Sequence, residues 1–171
     1  MTSTITKMTL EELLPIIKLT NIQKIANFAE RYGDKPLTGA QLDSGIGQEI
    51  IGSTVFFRID YQLTLKCEPV EGIEIMGVLR SGVVVAYEIS TPDHPQWQES
   101  ASILEPMATL AGHPYLRQSI SFLASELNFP NITIGLLRYG SNMAESVVIG
   151  DKSFPFAVSA FETTQKDEAE N

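Results

Sequence analysis

The chain is 171 residues long and carries 21 acidic against 12 basic side chains, a formal charge of −9. That length suits one domain with a full core and is short for two, and 43% apolar with 19% charged residues reads as globular rather than disordered. No apolar run approaches the ~20 residues of a membrane span. The opening Met1–Pro15 lacks the basic start, apolar middle and cleavage site of a secretory signal. An acidic chain also lacks the basic face that nucleic acid demands, so the expected setting is cytoplasmic and the expected partners are proteins.

The count of reactive residues is low. Cys67 stands alone, which excludes an internal disulfide framework and a Cys-rich zinc site; at the end of an apolar strand it reads as a small buried hydrophobe. Of the two histidines, His94 lies in the turn-rich Thr91-Pro92-Asp93-His94-Pro95 and His113 immediately precedes Pro114. No carboxylate pattern frames either, and no G-x-S-x-G nucleophile motif occurs. The expectation is a protein that is not an enzyme and uses no metal or cofactor.

In chain order, Thr9-Leu10-Glu11-Glu12 is a capping box, and Leu13, Leu14, Ile16 and Ile17 give a brief N-terminal helix that Pro15 disturbs. In Ile22–Tyr32, the residues Ile22, Ile25, Phe28 and Ala29 recur at helical spacing, and periodicity alone leaves helix and strand open; Gly33-Asp34-Lys35-Pro36 ends the element. Gly45, Gly47 and Gly52 are spaced more widely than the dinucleotide fingerprint and lack its strand–turn–helix setting, which leaves a glycine-relieved strand. From Ser53 to Cys67 the alternation is strict. Val55, Phe57, Ile59, Tyr61, Leu63, Leu65 and Cys67 share one side; Thr54, Phe56, Arg58, Asp60, Gln62, Thr64 and Lys66 share the other, which is polar except for Phe56. A second strand, Ile73–Ser90, should pair with it as a hairpin, with Arg80-Ser81-Gly82 marking a bulge or bend.

Near Glu99 the period changes to 3.6. Ile103, Leu104, Met107 and Leu110 form one helical face, Gly112-His113-Pro114 breaks the chain, and Pro114 begins a new helix with the seam Leu116, Ile120, Leu123 and Leu127. Asn128-Phe129-Pro130 stops it. Ile132–Leu137 is extended; Ser146–Ile149, a Gly150-Asp151 turn and Phe154–Phe161 suggest a hairpin in which Pro155 confines its strand to an edge. The grouping of elements gives an α+β class, as a single domain over 1–162 followed by an acidic disordered tail over 163–171.

The stretch His113-Pro114-Tyr115-Leu116-Arg117, followed by Ile120-Ser-Phe-Leu-Ala-Ser-Glu-Leu-Asn-Phe129-Pro130-Asn-Ile-Thr-Ile, resembles the SecB chaperone family. Members carry Pro-Tyr-x-Arg, an amphipathic helix, a residue before proline and alternating apolar residues after it. The two long strands feeding into the helices extend the resemblance over roughly residues 20 to 140. It implies a four-stranded antiparallel sheet with helices packed on one face, with Ile22–Tyr32 and Gln41–Ile51 as its first two strands. It further implies assembly as a dimer of dimers and a molecular chaperone (holdase) that binds unfolded polypeptides in apolar grooves without ATP. Under this reading Phe56, Ile103, Leu104, Met107 and Leu110 are client contacts, while Pro114, Tyr115, Arg117 and Pro130 carry the family motif; Tyr115, Arg117 and Phe122 would hold the fold together. Translocase-coupled members bear an acidic residue on the second long strand for docking SecA, and here Met76-Gly77-Val78 stand in its place. The partner could thus be unfolded clients for export through SecA, or the antitoxin of a toxin–antitoxin pair. Two rival classes have their own signatures: a small apolar-ligand binder needs a closed internal pocket, and an enzyme using His113 or Asp93/His94 needs those side chains to converge in a cleft.

Overall fold

The computed structural model describes residues 7–70, 72–93, 96–137 and 146–155. The capping box forms as expected: the Glu12 amide donates to the Thr9 hydroxyl at 3.4 Å and the Thr9 amide donates to the Glu12 carboxylate at 2.7 Å. It opens a one-turn helix, α1 (Leu10–Leu13), and Pro15 takes the next three residues into a 3-10 turn.

Four long strands follow: β1 (Ile17–Arg31), β2 (Leu37–Ile51), β3 (Thr54–Val70) and β4 (Ile73–Ile89). They form one antiparallel sheet in the order β1-β4-β3-β2, so β1 and β2 are its edges. The alternation in β3 sets its two faces. Phe57, Tyr61, Leu63 and Leu65 are almost wholly enclosed, and opposite them on β4 stand Val85, Ser81, Leu79 and Gly77. Cys67 belongs to the same buried layer.

The helix-like spacing in the first strand has a different origin. β1 carries irregularities between Leu19 and Asn21 and between Lys24 and Ala26; the extra residue of each bulge shifts the alternation. Ile22 and Ala29 therefore pack against the core, while Ile25 and Phe28 are exposed on the opposite face. The expected bulge at Arg80-Ser81-Gly82 is thus on the neighbouring strand: β4 runs through it in unbroken register with β3. Gly82 is needed there because a Cβ would lie 2.5 Å from the Asp60 carboxylate and 3.2 Å from the bulged Ile25.

The connection after β4 leads through α2 (Trp97–Ser100) and a 3-10 turn (Ala101–Leu104) into α3 (Glu105–Glu126), which packs against β4, β1 and β3. The expected break at Gly112-His113-Pro114 does not occur; α3 is continuous through Pro114. Pro114 removes the bond to the Leu110 carbonyl, but tertiary packing holds the two halves in line. Gly112 sits so close to the sheet that a Cβ would approach Val83 to 2.9 Å and Ile59 to 3.1 Å, and Leu116 and Ile120 beyond it are fully buried. Pro106 lies in the first turn, where its missing amide costs nothing.

Asn128 takes the left-handed conformation, φ 54°, and ends the helix where Asn128-Phe129-Pro130 predicts. A second antiparallel sheet follows, β5 (Ile132–Ile134), β6 (Ser146–Ile149) and β7 (Lys152–Pro155) in that order, with Pro155 on the edge strand. Its apolar residues Ile132, Ile134 and Val147 join the main core. The rest of the expected hairpin strand and the acidic tail lie outside the described residues, as does His94.

Arg31, at the end of β1, closes the architecture. Its guanidinium donates to the carbonyls of Leu127 and Asn128 at 2.7 Å each, lies 4.7 Å from the Phe129 ring centre and pairs with Asp34. One side chain thereby satisfies carbonyls that the helix end leaves open. Arg31→Ala should lower stability by about 1.5–3 kcal/mol, and Arg31→Lys should recover less than half, since an ammonium cannot reproduce the planar fork. The midpoint of urea unfolding reads both; a change below about 0.5 kcal/mol for the alanine variant would show the cap to be dispensable.

Candidate functional site

A half-buried antiparallel strand has to place its apolar side chains somewhere; on β2 Leu42 is buried and Leu37, Ala40 and Ile50 pack against the core, but the strand lies at the edge of the helical cover. α3 packs over β4, β1 and β3, and residues 45–49 of β2 are exposed throughout. The strand is 15 residues long, contains no proline, lysine or arginine, and is regular from Gly39 to Ile51. An edge of that kind presents a row of backbone N–H and C=O groups without the lysines, prolines and bulges that most often block strand addition; its charged residues are Asp43 and Glu49. The other edge, β1, is less regular and carries Lys18 and Lys24.

Apolar surface lies on both sides of this margin. On the helix side Ile46 stands beside Ile59 and remains 39% exposed. On the opposite face Ile25, Ile51, Phe56 and Val84 line an open trough of about 430 Å³, with Gln48, Glu49 and Arg58 at its rim. Gly47 forms part of its wall opposite Arg58, and a Cβ on Gly45 or Gly47 would meet nothing within 4 Å; the two glycines keep the trough wide. A second trough of about 660 Å³ continues along the same face past Phe28, Asp43, Gly45, Asp60 and Arg80. Arg58 bonds Asp60 at 2.7 Å in a largely exposed pair, and the Arg80 guanidinium lies 5.6 Å from the Phe28 ring centre. Exposed pairs of this type contribute little to stability, so the charges act as polar fencing around the apolar floor.

The structure separates the expected client contacts. Phe56 is half-buried in the open trough, on the sheet face turned away from α3. Ile103, Leu104, Met107 and Leu110 lie on the helical side. They do not form one face, because α3 begins only at Glu105 and a 3-10 turn precedes it. Leu104 has no exposed surface and is a core residue, whereas Leu110 is 48% exposed; Ile103 and Met107 are partly buried against the core. Of the motif residues, Arg117 donates from Nε to the Ile134 carbonyl at 2.7 Å and ties α3 to β5. Pro114 and Pro130 are exposed. Tyr115 and Phe122 are 40% and 59% exposed, on the side of α3 turned away from the seam of Leu116 and Ile120; the helical period, not the motif, decides that they leave the core. Sequence reading missed Ile25, Ile46, Ile51 and Val84, although Ile46 and Ile51 flanked the glycines that set the strand apart.

The remaining signatures can be placed as well. His113 is buried, with Nδ1 2.9 Å from the Tyr61 hydroxyl and Nε2 2.9 Å from the Gly135 carbonyl, so both ring nitrogens are occupied within the fold. Burial holds its pKa below the ordinary imidazole value and pushes the Tyr61 phenol above its own. A third hollow, about 730 Å³ around Phe122, Ser125, Asn128 and Phe129, is open like the other two, unlike the closed pocket that suits a small apolar ligand.

The fold is shared with known proteins. No family model matches the chain, and none of the curated proteins matches its sequence. Among solved structures, the Mycobacterium tuberculosis SecB-like chaperone Rv1957, in complex with a ChAD peptide from the antitoxin HigA1 (Rv1956), superposes with a TM-score of 0.64 at 16% identity. The match covers 75% of this chain and 95% of that one. The SecB-like α+β architecture expected from the sequence is therefore present.

The assignment of faces is open to a direct check. Phe57→Ala, on the core side of β3, should cost about 3–5 kcal/mol, while its neighbour Phe56→Ser should cost about 1 kcal/mol or less. Equal losses in chemical denaturation would mean that the Phe56 face is covered.

Proposed function

We propose that this protein is a SecB-like molecular chaperone, a holdase that binds unfolded or aggregation-prone polypeptide in an extended form along the margin of β2. The carrying observation is the β2 edge: among the described residues no strand pairs with its outer side, and apolar side chains flank it on both faces. An unfolded segment offers the complementary set, a backbone in need of partners and alternating apolar side chains, and strand addition satisfies both at once. The open, shallow troughs suit many sequences, because affinity comes from the main chain and from apolar area more than from a shaped pocket. The charge of −9 helps keep copies of the chaperone apart while such surface is exposed. No step of this function breaks a covalent bond, and it needs neither ATP nor a cofactor.

Two features support assembly as a dimer of dimers in the cytoplasm. Leu110, Tyr115 and Phe122 leave an apolar surface along the outside of α3, the kind of area that a partner subunit covers. Among the described residues no helix is long and apolar enough to cross a membrane.

A second reading, a chaperone dedicated to an antitoxin, is favoured over export through SecA by two observations. The SecB-like chaperone of matching fold was solved with an antitoxin peptide. Where translocase-coupled relatives carry an acid, this chain has Met76 and Gly77 in the core and an uncharged Val78.

The test is suppression of aggregation. Without nucleotide, the protein should prevent light scattering by a chemically denatured client at substoichiometric ratios, and its native mass should be a multiple of 18.8 kDa. The double variant Ile46→Ser/Phe56→Ser should fold normally and require at least fivefold more protein for the same protection. A monomer without effect on aggregation overturns the proposal, and so does full protection by the double variant. Activity confined to one antitoxin, with none toward general clients, selects the dedicated reading.

A further inference from the structure

A buried histidine joins α3 to β3 and to the end of β5. His113 projects from α3 into the seam between that helix, β3 and the small sheet, and it is only 3% exposed. The Gly135 carbonyl can only accept, so Nε2 carries the proton and donates to it at 2.9 Å; Nδ1 is then a lone pair that accepts from the Tyr61 hydroxyl at 2.9 Å. One helical turn further on, Arg117 donates to the carbonyl of the preceding residue, Ile134, at 2.7 Å. Two consecutive carbonyls at the end of β5 are thus held by two side chains of one helix face. Beneath them Ile132, Ile134 and Val147 are buried.

A proton on Nδ1 disturbs the Tyr61 side of this arrangement and places a charge in a buried seam, while the donation from Nε2 to Gly135 stays in place. The Tyr61 hydroxyl has to reverse and accept, which strands its own hydrogen in a buried site. The new cation stands near the Arg117 guanidinium, and among the described residues none of the groups that His113 bonds is a carboxylate. From β3 the facing titratable group is Tyr61 alone; β4 contributes Ser81 and Val83; the small sheet contributes Ile134, Gly135 and Ser146, all uncharged. β1 contributes the uncharged Asn27, which accepts from Ser81, and on α3 the charged groups are Arg117 one turn later, Glu105 about 12 Å earlier along the axis and Glu126 about 20 Å later.

We propose that His113 is the pin of an acid-sensitive latch, whose protonation undocks the β5–β6–β7 sheet from α3 and uncovers the apolar residues Ile132, Ile134 and Val147. Burial is the main cause that keeps the docked imidazole neutral; the Arg117 charge acts in the same direction, and the bond to Gly135 opposes them. The docked state therefore binds fewer protons than the undocked one. Docking is complete above the ordinary imidazole value of about 6.5 and weakens as pH falls below it.

Hydrogen exchange, expressed as protection factors to remove the intrinsic pH dependence, tests the latch in the full chain. Between pH 7.5 and 5.0 protection over 130–137 and 146–155 should fall at least tenfold while β3 and β4 keep theirs. In His113→Gln the two segments should show one level of protection across that range. Tyr61→Phe removes the hydroxyl that must reverse, so its transition should move to higher pH; imidazole nitrogen shifts of His113 in the same variant read the midpoint independently. Protection unchanged in the wild type, wild-type pH dependence in His113→Gln, or an unmoved midpoint in Tyr61→Phe each overturns the proposal.

Discussion

The contact between Gly112 and the sheet governs the rest of this molecule. A helix backbone can lie that close to Ile59 and Val83 only where it has no side chain, and the fit draws α3 down over β4, β1 and β3. A single helix has a finite width, about 10–12 Å with side chains, whereas strands lie about 4.8 Å apart. Centred as it is, α3 packs chiefly over the other three strands. The close packing that stabilises the core is therefore what leaves residues 45–49 of the β2 margin exposed, while Leu42 of the same strand is buried. The cover and the opening have the same cause.

That geometry explains how a stable protein keeps apolar surface accessible. The core is concentrated between α3 and the inner faces of β3 and β4, where Phe57, Tyr61, Leu63, Val85, Leu116 and Ile120 are enclosed. Ile25, Ile46, Ile51 and Phe56 are relieved of that task. Exposed edges ordinarily risk aggregation, and here acidic net charge together with the polar fencing of Glu49, Arg58 and Asp60 offsets the risk while leaving the backbone available. The site is consequently a strip of strand with shallow apolar shoulders, the form that the proposed binding of extended chain requires.

Much of the fold was legible where one physical rule acted alone. The alternation over 54–67 gave β3 and its buried face, the capping box gave α1, and Asn128-Phe129-Pro130 gave the end of α3. The reading lost accuracy where tertiary packing overrode a local rule. Pro114 interrupts a hydrogen bond but not the helix, because Gly112, His113 and Leu116 fix both halves against the sheet. The i, i+3 spacing of Ile22, Ile25 and Phe28 mimicked a helix because two bulges offset the alternation of β1. The site was less visible still. Phe56 was detectable as an apolar residue on a polar face, but exposure of Ile46 and Ile51 depends on which strand the helix fails to cover, and burial of Leu104 depends on where α3 begins. Neither is written in the periodicity of the segments concerned.

The most direct test of the proposed client binding is to observe the protein in the presence of an unfolded polypeptide. Amide and isoleucine-methyl NMR of the chain titrated with an unfolded polypeptide should show the largest changes along the β2 amides from Gln41 to Ile51 and at the methyls of Ile25, Ile46 and Ile51, with slowed exchange of the β2 amides. Changes confined to the outer side of α3 around Tyr115 and Phe122, with β2 undisturbed, would contradict it.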